Sequence, residues 1–287
     1  MTAHRLSFAV VAAVALLFAE PLAHSQINEP ADNDLRGRLG VGLSADLARG
    51  LELSVNQEFR MDNNFTSYDR FATSAALTYK PLQYFKIGAG YTLFSINDGI
   101  DETSGERVWL FKHRVSLDLS GLYKVGEWHF SLRERFQTTI RTDDFNHYQE
   151  PVADLILRTR ARVSYKSRRV PLEPHISVEP YVRLNAVDPS SLATSELEAG
   201  TMRTKYSKAG LSRVRSILGL TWDINSRNSF DFYFMGDAWF ETKIDAKKNG
   251  VIKTVMVKDG DDYVSRQAIY YRHGFNSILG VSYNYSF

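Results

Sequence analysis

The chain has no cysteine in its 287 residues. That excludes disulfide staples, zinc–thiolate sites and thiol catalysis, and it removes the lipid-attachment cysteine that a lipoprotein needs. Charge of one sign is also lacking: 35 Lys and Arg stand against 33 Asp and Glu, a net +2. A nucleic-acid binder needs a concentrated basic surface, so nucleic acid is not an expected partner. Long hydrophobic runs are almost missing. The one that exists, residues 6–19 (LSFAVVAAVALLFA), follows His4 and Arg5 and precedes Ala23 and Ser25, a small-residue cleavage pair. It falls short of the roughly 20 residues a helical span needs. Residues 1–25 therefore read as a secretory signal peptide, cut after Ser25 or, as second choice, after Ala23. No phosphate loop, zinc motif or dinucleotide fingerprint is present, so neither cofactor nor metal is expected.

What is abundant is alternation. Residues 276–287 read NSILGVSYNYSF, with Ser277, Leu279, Val281, Tyr283, Tyr285 and Phe287 on one face and small or polar residues on the other, Ile278 being the one large exception. A period of two over this length is a strand between an apolar and a polar medium. Tyr283, Tyr285 and Phe287 resemble the terminal signal by which bacterial outer-membrane barrels are recognised for insertion. Behind a polar segment at 26–34, ten earlier stretches of the same kind run from residue 35 onward. Arg38 to Asp46 opens the series, and β-type alternation such as Leu155, Leu157, Ala161, Val163 against Arg158, Arg160, Arg162 continues it. Short turns follow the odd strands and longer loops, at 62–69, 97–107, 142–152, 186–205 and 241–267, follow the even ones. Outer-membrane barrels are built this way, with the short turns in the periplasm.

The apolar face carries aromatics beside the short turns: Tyr79, Phe85, Tyr123, Trp128, Tyr165, Trp222, Phe230 and Tyr285. A ring of amphipathic aromatics at one level is an interfacial girdle. A second ring near the long loops draws on Phe59, Phe71, Trp109, Phe111, Phe136 and Phe240. Residues 35–287 are thus expected to be one all-β domain, an antiparallel transmembrane β-barrel in the outer membrane of a Gram-negative bacterium. Eleven strands are read, and about twelve are expected because edge closure favours an even count. Eleven strands would make the first and last run the same way. Either a strand lies hidden in 26–35 or the polar 26–34 segment threads the lumen. An extra strand near 251–257 would extend beyond the barrel. Glu134 falls on the apolar face by parity, which suggests a β-bulge or a headgroup location there.

Several fragments resemble a family of bacterial outer-membrane barrels known as domain of unknown function 2490: Glu58-Phe59-Arg60, Gly88-Ala89-Gly90-Tyr91, His113-Arg114, Arg133-Glu134-Arg135-Phe136-Gln137, Pro174-x-x-x-x-Glu179, and Arg213-x-Arg215 before Leu218-Gly219-Leu220. The resemblance would cover the whole mature chain. It implies an outer-membrane location, contact with outer-membrane lipid, lipopolysaccharide and the barrel-insertion machinery, and no catalytic residues.

Parity turns many charges inward: Arg133, Arg135, Arg158, Arg160, Arg162, Arg183, Arg213 and Arg215 with Glu52, Glu58, Asp118, Glu179, Asp231 and Asp237. Rings of Arg favour negative solutes, so one reading is a narrow channel for small polar or anionic solutes. The other is a lumen filled by Arg–carboxylate networks, a plugged structural barrel with limited interior room. His175-x-Ser177-x-Glu179 has the residue types of a base, a nucleophile and an orienting carboxylate. An outer-membrane lipid hydrolase is the alternative it raises, but such enzymes work on the lipid-facing wall, and here Ile176, Val178 and Val182 hold that face. The loops 186–205 and 241–267 leave a partner-binding barrel as a further alternative. The acidic stretches Asn97-Asp98-Gly99-x-Asp101-Glu102 and Asp259-Gly260-Asp261-Asp262 lack the spacing of a calcium loop and read as turns.

Overall fold

Alternating side chains commit each stretch to an extended chain with two unlike faces, and eleven long strands result. They are β1 (Asp32–Ala48), β2 (Leu51–Asp62), β3 (Ser67–Leu82), β4 (Phe85–Ile100), β5 (Arg107–Val125), β6 (Trp128–Arg141), β7 (Ala153–Tyr165), β8 (Leu172–Arg183), β9 (Gly210–Asp223), β10 (Asn228–Ala246) and β11 (Ile269–Ser286). The computed structural model describes residues 26–28, 32–100, 105, 107–142, 153–167, 169–185, 204–207, 209–246, 254–259, 262–267 and 269–287. The signal segment 1–25, residues 186–203 of one long loop, and Asp101, Glu102, Gly260 and Asp261 of the acidic stretches lie outside them. No helix occurs among the described residues.

Each strand pairs antiparallel with the next, and β11 closes on β1. That last pair is parallel, from Gly274 opposite Asp32 to Ser286 opposite Ser44. The barrel is therefore mixed, with eleven staves. The even count expected from antiparallel closure is not needed, because a parallel ladder also satisfies both edges. The polar amino-terminal segment does not thread the lumen where it is described: Gln26–Asn28 pairs parallel with residues 269–271 and prolongs the same seam. Beyond the barrel, Thr204–Ser207 pairs with the upper end of β10. Thr254–Asp259 and Asp262–Gln267 form a separate hairpin, which overlaps the extra strand expected at 251–257; residues 251–253 lie outside the described residues.

The faces are inverted relative to a water-soluble core. Leu39, Leu117 and Leu218 on the outer wall are 56%, 58% and 63% exposed, whereas Gln137, Glu179 and Asp237 inside are 1%, 3% and 4% exposed. The expected bulge at Glu134 is absent: β5–β6 and β6–β7 pair there without a register shift. Glu134 stays on the outer wall, where its carboxylate accepts a 2.8 Å hydrogen bond from Thr159. Ile278, the exception in the last strand, points inward and is 1% exposed.

Aromatics border the outer wall at both ends. On the short-turn side Tyr79, Tyr123, Trp128 and Trp222 are exposed. Trp128 packs edge-on against Tyr165 at 5.1 Å, Phe230 lies 5.2 Å from Tyr283, and Tyr285 lies 4.9 Å from Phe287; Phe85 is half-buried on the same wall. On the long-loop side Tyr68 meets Phe59, Phe71 and Trp109 at 5.0, 4.9 and 5.6 Å.

Each end also has its own clasp. In the turn after β2, Asn63, Asn64 and Phe65 all adopt positive φ, 48°, 55° and 64°. Such a run costs free energy for residues with a Cβ, and the Asp34 carboxylate compensates by accepting both the Asn63 and Asn64 backbone N–H at 3.0 Å. At the short-turn end Lys166 donates to Asp223 at 2.9 Å and approaches Glu173 at 3.6 Å. The hydrogen bond to Asp223 holds the Lys166 ammonium above its ordinary 10.5, against partial burial. A raised lysine stabilises fully below its unfolded value and loses that contribution as pH rises through the folded one. Half of Lys166 is exposed, so Lys166→Met should cost less than about 1 kcal/mol at neutral pH. Chemical denaturation of both proteins should show the difference fading once pH passes above the folded value.

Candidate functional site

The lumen is the chemically distinctive region. Its charges come from strands whose polar positions recur every second residue, as in β7, where Arg158, Arg160 and Arg162 share the inner face. Glu179 of β8 is the hub. It accepts from Arg158 Nη2 at 3.0 Å on both oxygens, from Arg133 Nη2 at 3.0 Å and from the Tyr181 hydroxyl at 3.1 Å. Arg158 also donates to Gln137 at 3.0 Å. Tyr181, 5% exposed, continues the chain: its hydroxyl accepts from Arg215 Nη1 at 2.5 Å. Its ring carries the guanidinium carbons of Arg158, Arg215 and Arg213 at 4.5, 4.9 and 5.7 Å. Arg215 and Arg213 share Asp237, at 3.2 and 3.5 Å. Charge-assisted hydrogen bonds in a low-dielectric interior are the strong kind.

The ladder opens beside this hub. Pairing of β7 with β8 holds at Arg158 opposite Tyr181 and at Ala161 opposite Val178, but nothing pairs between them. Pro180 lies in the gap, and proline has no N–H to give. Arg160 sits at the same place, with its Nε buried and without a hydrogen-bond partner.

The other inward residues divide into pairs and singles. Arg135 grips Asp118 with two bonds of 2.6 Å, and Arg183 reaches Asp154 at 3.1 Å. Asp231 accepts from Thr221 at 3.0 Å. Glu58 faces Arg60 at 2.5 Å and Arg38 at 4.0 Å. Glu52 is half-buried beside a short turn. Arg162 has no carboxylate within ion-pair distance among the described residues; in the β7–β8 register it faces Ser177. Sequence reading did not select Tyr181, Gln137, Asp154, Phe94, Arg38, Arg60 or Arg114 as site residues. Strand parity was the available signal, since all lie on inward positions.

A cavity of about 1050 Å³ runs inside the barrel from Lys112 and Glu241 near the long loops to Lys86 and Leu122 near the short turns. Twelve arginines and two lysines line it, against five carboxylates: Asp34, Glu58, Asp118, Asp154 and Glu241. Below the hub, Ile278 and Met235, both buried, narrow the interior on the β10–β11 side.

His175, Ser177 and Glu179 are all buried on the inner face. They do not form a catalytic chain among the described residues. His175 lies 3.9 Å from Asp231, its Nδ1 has no hydrogen-bond partner, and the Glu179 carboxylate is taken by arginines and Tyr181. Arg158 holds Glu179 of this trio at 3.0 Å, whereas Arg183 turns to Asp154. No group of His, Asp and Glu among the described residues is arranged to hold a metal ion.

A model of the family described as Protein of unknown function (DUF2490) matches residues 39–247, from the middle of β1 to the end of β10. The match leaves out β11, although the motif resemblance was expected over the whole mature chain. No curated protein matches the chain.

Proposed function

The chain belongs to the family of unknown function DUF2490, whose description carries no activity, and from the barrel itself we propose a non-enzymatic outer-membrane protein of a Gram-negative bacterium that admits small anionic solutes to its lumen. The observation that carries this reading is the lining: twelve arginines and two lysines against five carboxylates around a cavity of about 1050 Å³. A low-dielectric wall focuses such a charge excess on the interior and concentrates mobile anions there.

The membrane location is supported by the outer wall. Soluble monomers rarely expose a continuous apolar patch beyond about a few hundred Å². Here exposed Leu, Val, Phe and Ile side chains recur on strand after strand, bordered by aromatics at both ends. Outer-membrane lipid, lipopolysaccharide and the barrel-insertion machinery are the partners this location implies. The engagement of Glu179 by Arg133, Arg158 and Tyr181 speaks against lipid hydrolysis at Ser177, since the carboxylate is not available to orient His175. The same network favours a second reading, a structural barrel whose interior is filled.

Planar-bilayer recording of the refolded mature protein separates the two, with folding first confirmed by the mobility shift between unboiled and boiled samples. Discrete current steps and a reversal potential of the anion-selective sign are expected in a salt gradient. Arg160→Ala should lower the anion-to-cation permeability ratio by at least about twofold, because among the described residues Arg160 offers the cavity a guanidinium without a carboxylate partner. Arg162→Ala, outside the cavity lining, should change it less. A folded but silent barrel would establish the filled-lumen reading, and a cation-selective one would defeat both the passage and its mechanism.

A further inference from the structure

Positive charge in the cavity is unevenly compensated. On the β6–β10 side Glu179 and Asp237 each serve two arginines through bonds that also recruit Tyr181. On the β1–β5 side, Arg38 and Arg60 share the carboxylate of Glu58, at 4.0 and 2.5 Å. Among the described residues Arg114 makes no ion pair, and its Nε donates to the Thr139 hydroxyl at 3.0 Å. All three arginines line the cavity, and together with Glu58 these four side chains carry a net +2.

Phe94 fixes the placement of two of them, Arg60 and Arg114. It is 3% exposed, and the guanidinium carbons of Arg114 and Arg60 lie 4.5 and 5.8 Å from its ring centre. Stacking on an aromatic face immobilises a guanidinium while leaving its N–H edge free to donate. The ordering cost that a flexible lysine site would incur on binding has thus already been met by the fold. Arg114 also feels the positive charges of Arg158, Arg60 and Arg215, so an arriving anion relieves repulsion as well as making bonds.

We propose that Arg60 and Arg114 on the Phe94 floor, with Arg38 beside them on Glu58, form a subsite for a doubly charged tetrahedral oxyanion, a sulfate or phosphate group. The inference rests on the reading of the lumen as a compartment open to anions. A guanidinium presents paired donors that match two oxygens of such a group, and chloride can use only one of them at a time. Two negative charges on one small centre cancel the local +2, which a monocarboxylate or chloride leaves half uncompensated.

Isothermal titration of the refolded mature protein with sodium sulfate, at constant ionic strength set by sodium chloride, is the test. Saturable one-site binding of sulfate is expected, at least tenfold tighter than acetate under the same conditions. Arg114→Gln should weaken sulfate at least tenfold, and Arg169→Gln, on an exposed turn, should not. The sulfate-to-acetate ratio in the wild-type protein keeps the test decisive if Arg114→Gln fails the mobility-shift criterion. Absence of saturable heat, or equal affinity for sulfate and acetate, overturns the subsite. Sulfate binding by a barrel that passes no current upholds the subsite and defeats passage. An anion-selective current without sulfate binding does the reverse.

Discussion

Glu179→Gln should lower the unfolding free energy of the refolded barrel by about 3–5 kcal/mol, the range for removing one partner of a buried charge network. Glu179 is 3% exposed and carries four hydrogen-bond contacts from Arg133, Arg158 and Tyr181. The amide keeps the shape but loses the charge, and its NH₂ group presents donors to guanidiniums that can only donate. Arg158, itself largely buried, then becomes an uncompensated cation beside Arg133 and Arg160. Pro180 aggravates this, since the adjoining stretch of β7–β8 has no ladder bonds to hold the wall. Urea unfolding in detergent, followed by the gel-mobility shift, gives the size of the loss. A loss under about 1 kcal/mol would mean that water already screens the hub. The same variant should strengthen anion preference in the bilayer, so stability and selectivity should move in opposite directions. Tyr181→Phe removes only the hydroxyl bridge between Glu179 and Arg215, and about 1–2 kcal/mol is the expected loss.

Gly280→Ala should destabilise the barrel by about 1–3 kcal/mol through overpacking at the closing seam. A Cβ at Gly280 would lie 2.1 Å from Tyr233 Cζ and 2.4 Å from its Cε2, well inside any real contact. Gly280 pairs with Tyr233 of β10 on one edge and with Arg38 of β1 on the other. The strand therefore cannot retreat without loosening two ladders, and the Tyr233 ring must move instead. A double-mutant cycle isolates the contact: in a Tyr233→Ala background, Gly280→Ala should cost less than about 0.5 kcal/mol. An unchanged cost in that background would place the strain in the backbone rather than the ring. Gly219 and His175 repeat the arrangement one strand away, with a Cβ at Gly219 falling 2.3 Å from His175 Nε2.

Both predictions turn on features of different legibility. That Glu179, Arg158 and Tyr233 face inward was readable, because side-chain direction in a strand alternates and needs no knowledge of neighbours. That Glu179 is the hub was not. Arg133 reaches it from two strands away, across β7, and such a contact depends on the stagger of three strands at once. Asp154, absent from the inward acids selected by sequence, takes Arg183 for the same reason. Glu134 shows another limit: its parity was read correctly, and of the two explanations offered for a carboxylate on an apolar wall, a bulge or a headgroup location, the uninterrupted registers exclude the bulge. Thr159, across the ladder on β7, supplies the hydrogen bond instead.

By itself the sequence determined the all-β class, eleven alternating stretches, the alternation of short turns with long connections, and which face of each strand is polar. These follow from local physics, the two-residue period and the turn chemistry between periods. The tertiary structure alone decided three things. It joined β1 to β11 in parallel, where an even, antiparallel count was expected, because closure depends on which edges remain unpaired after every hairpin has formed. It brought Glu179 and Asp237 to particular arginines, because ion pairing across a barrel depends on stagger. Among the described residues it left Arg114 and Arg160 without a carboxylate, because an excess charge is a property of the whole arrangement and no single strand carries it.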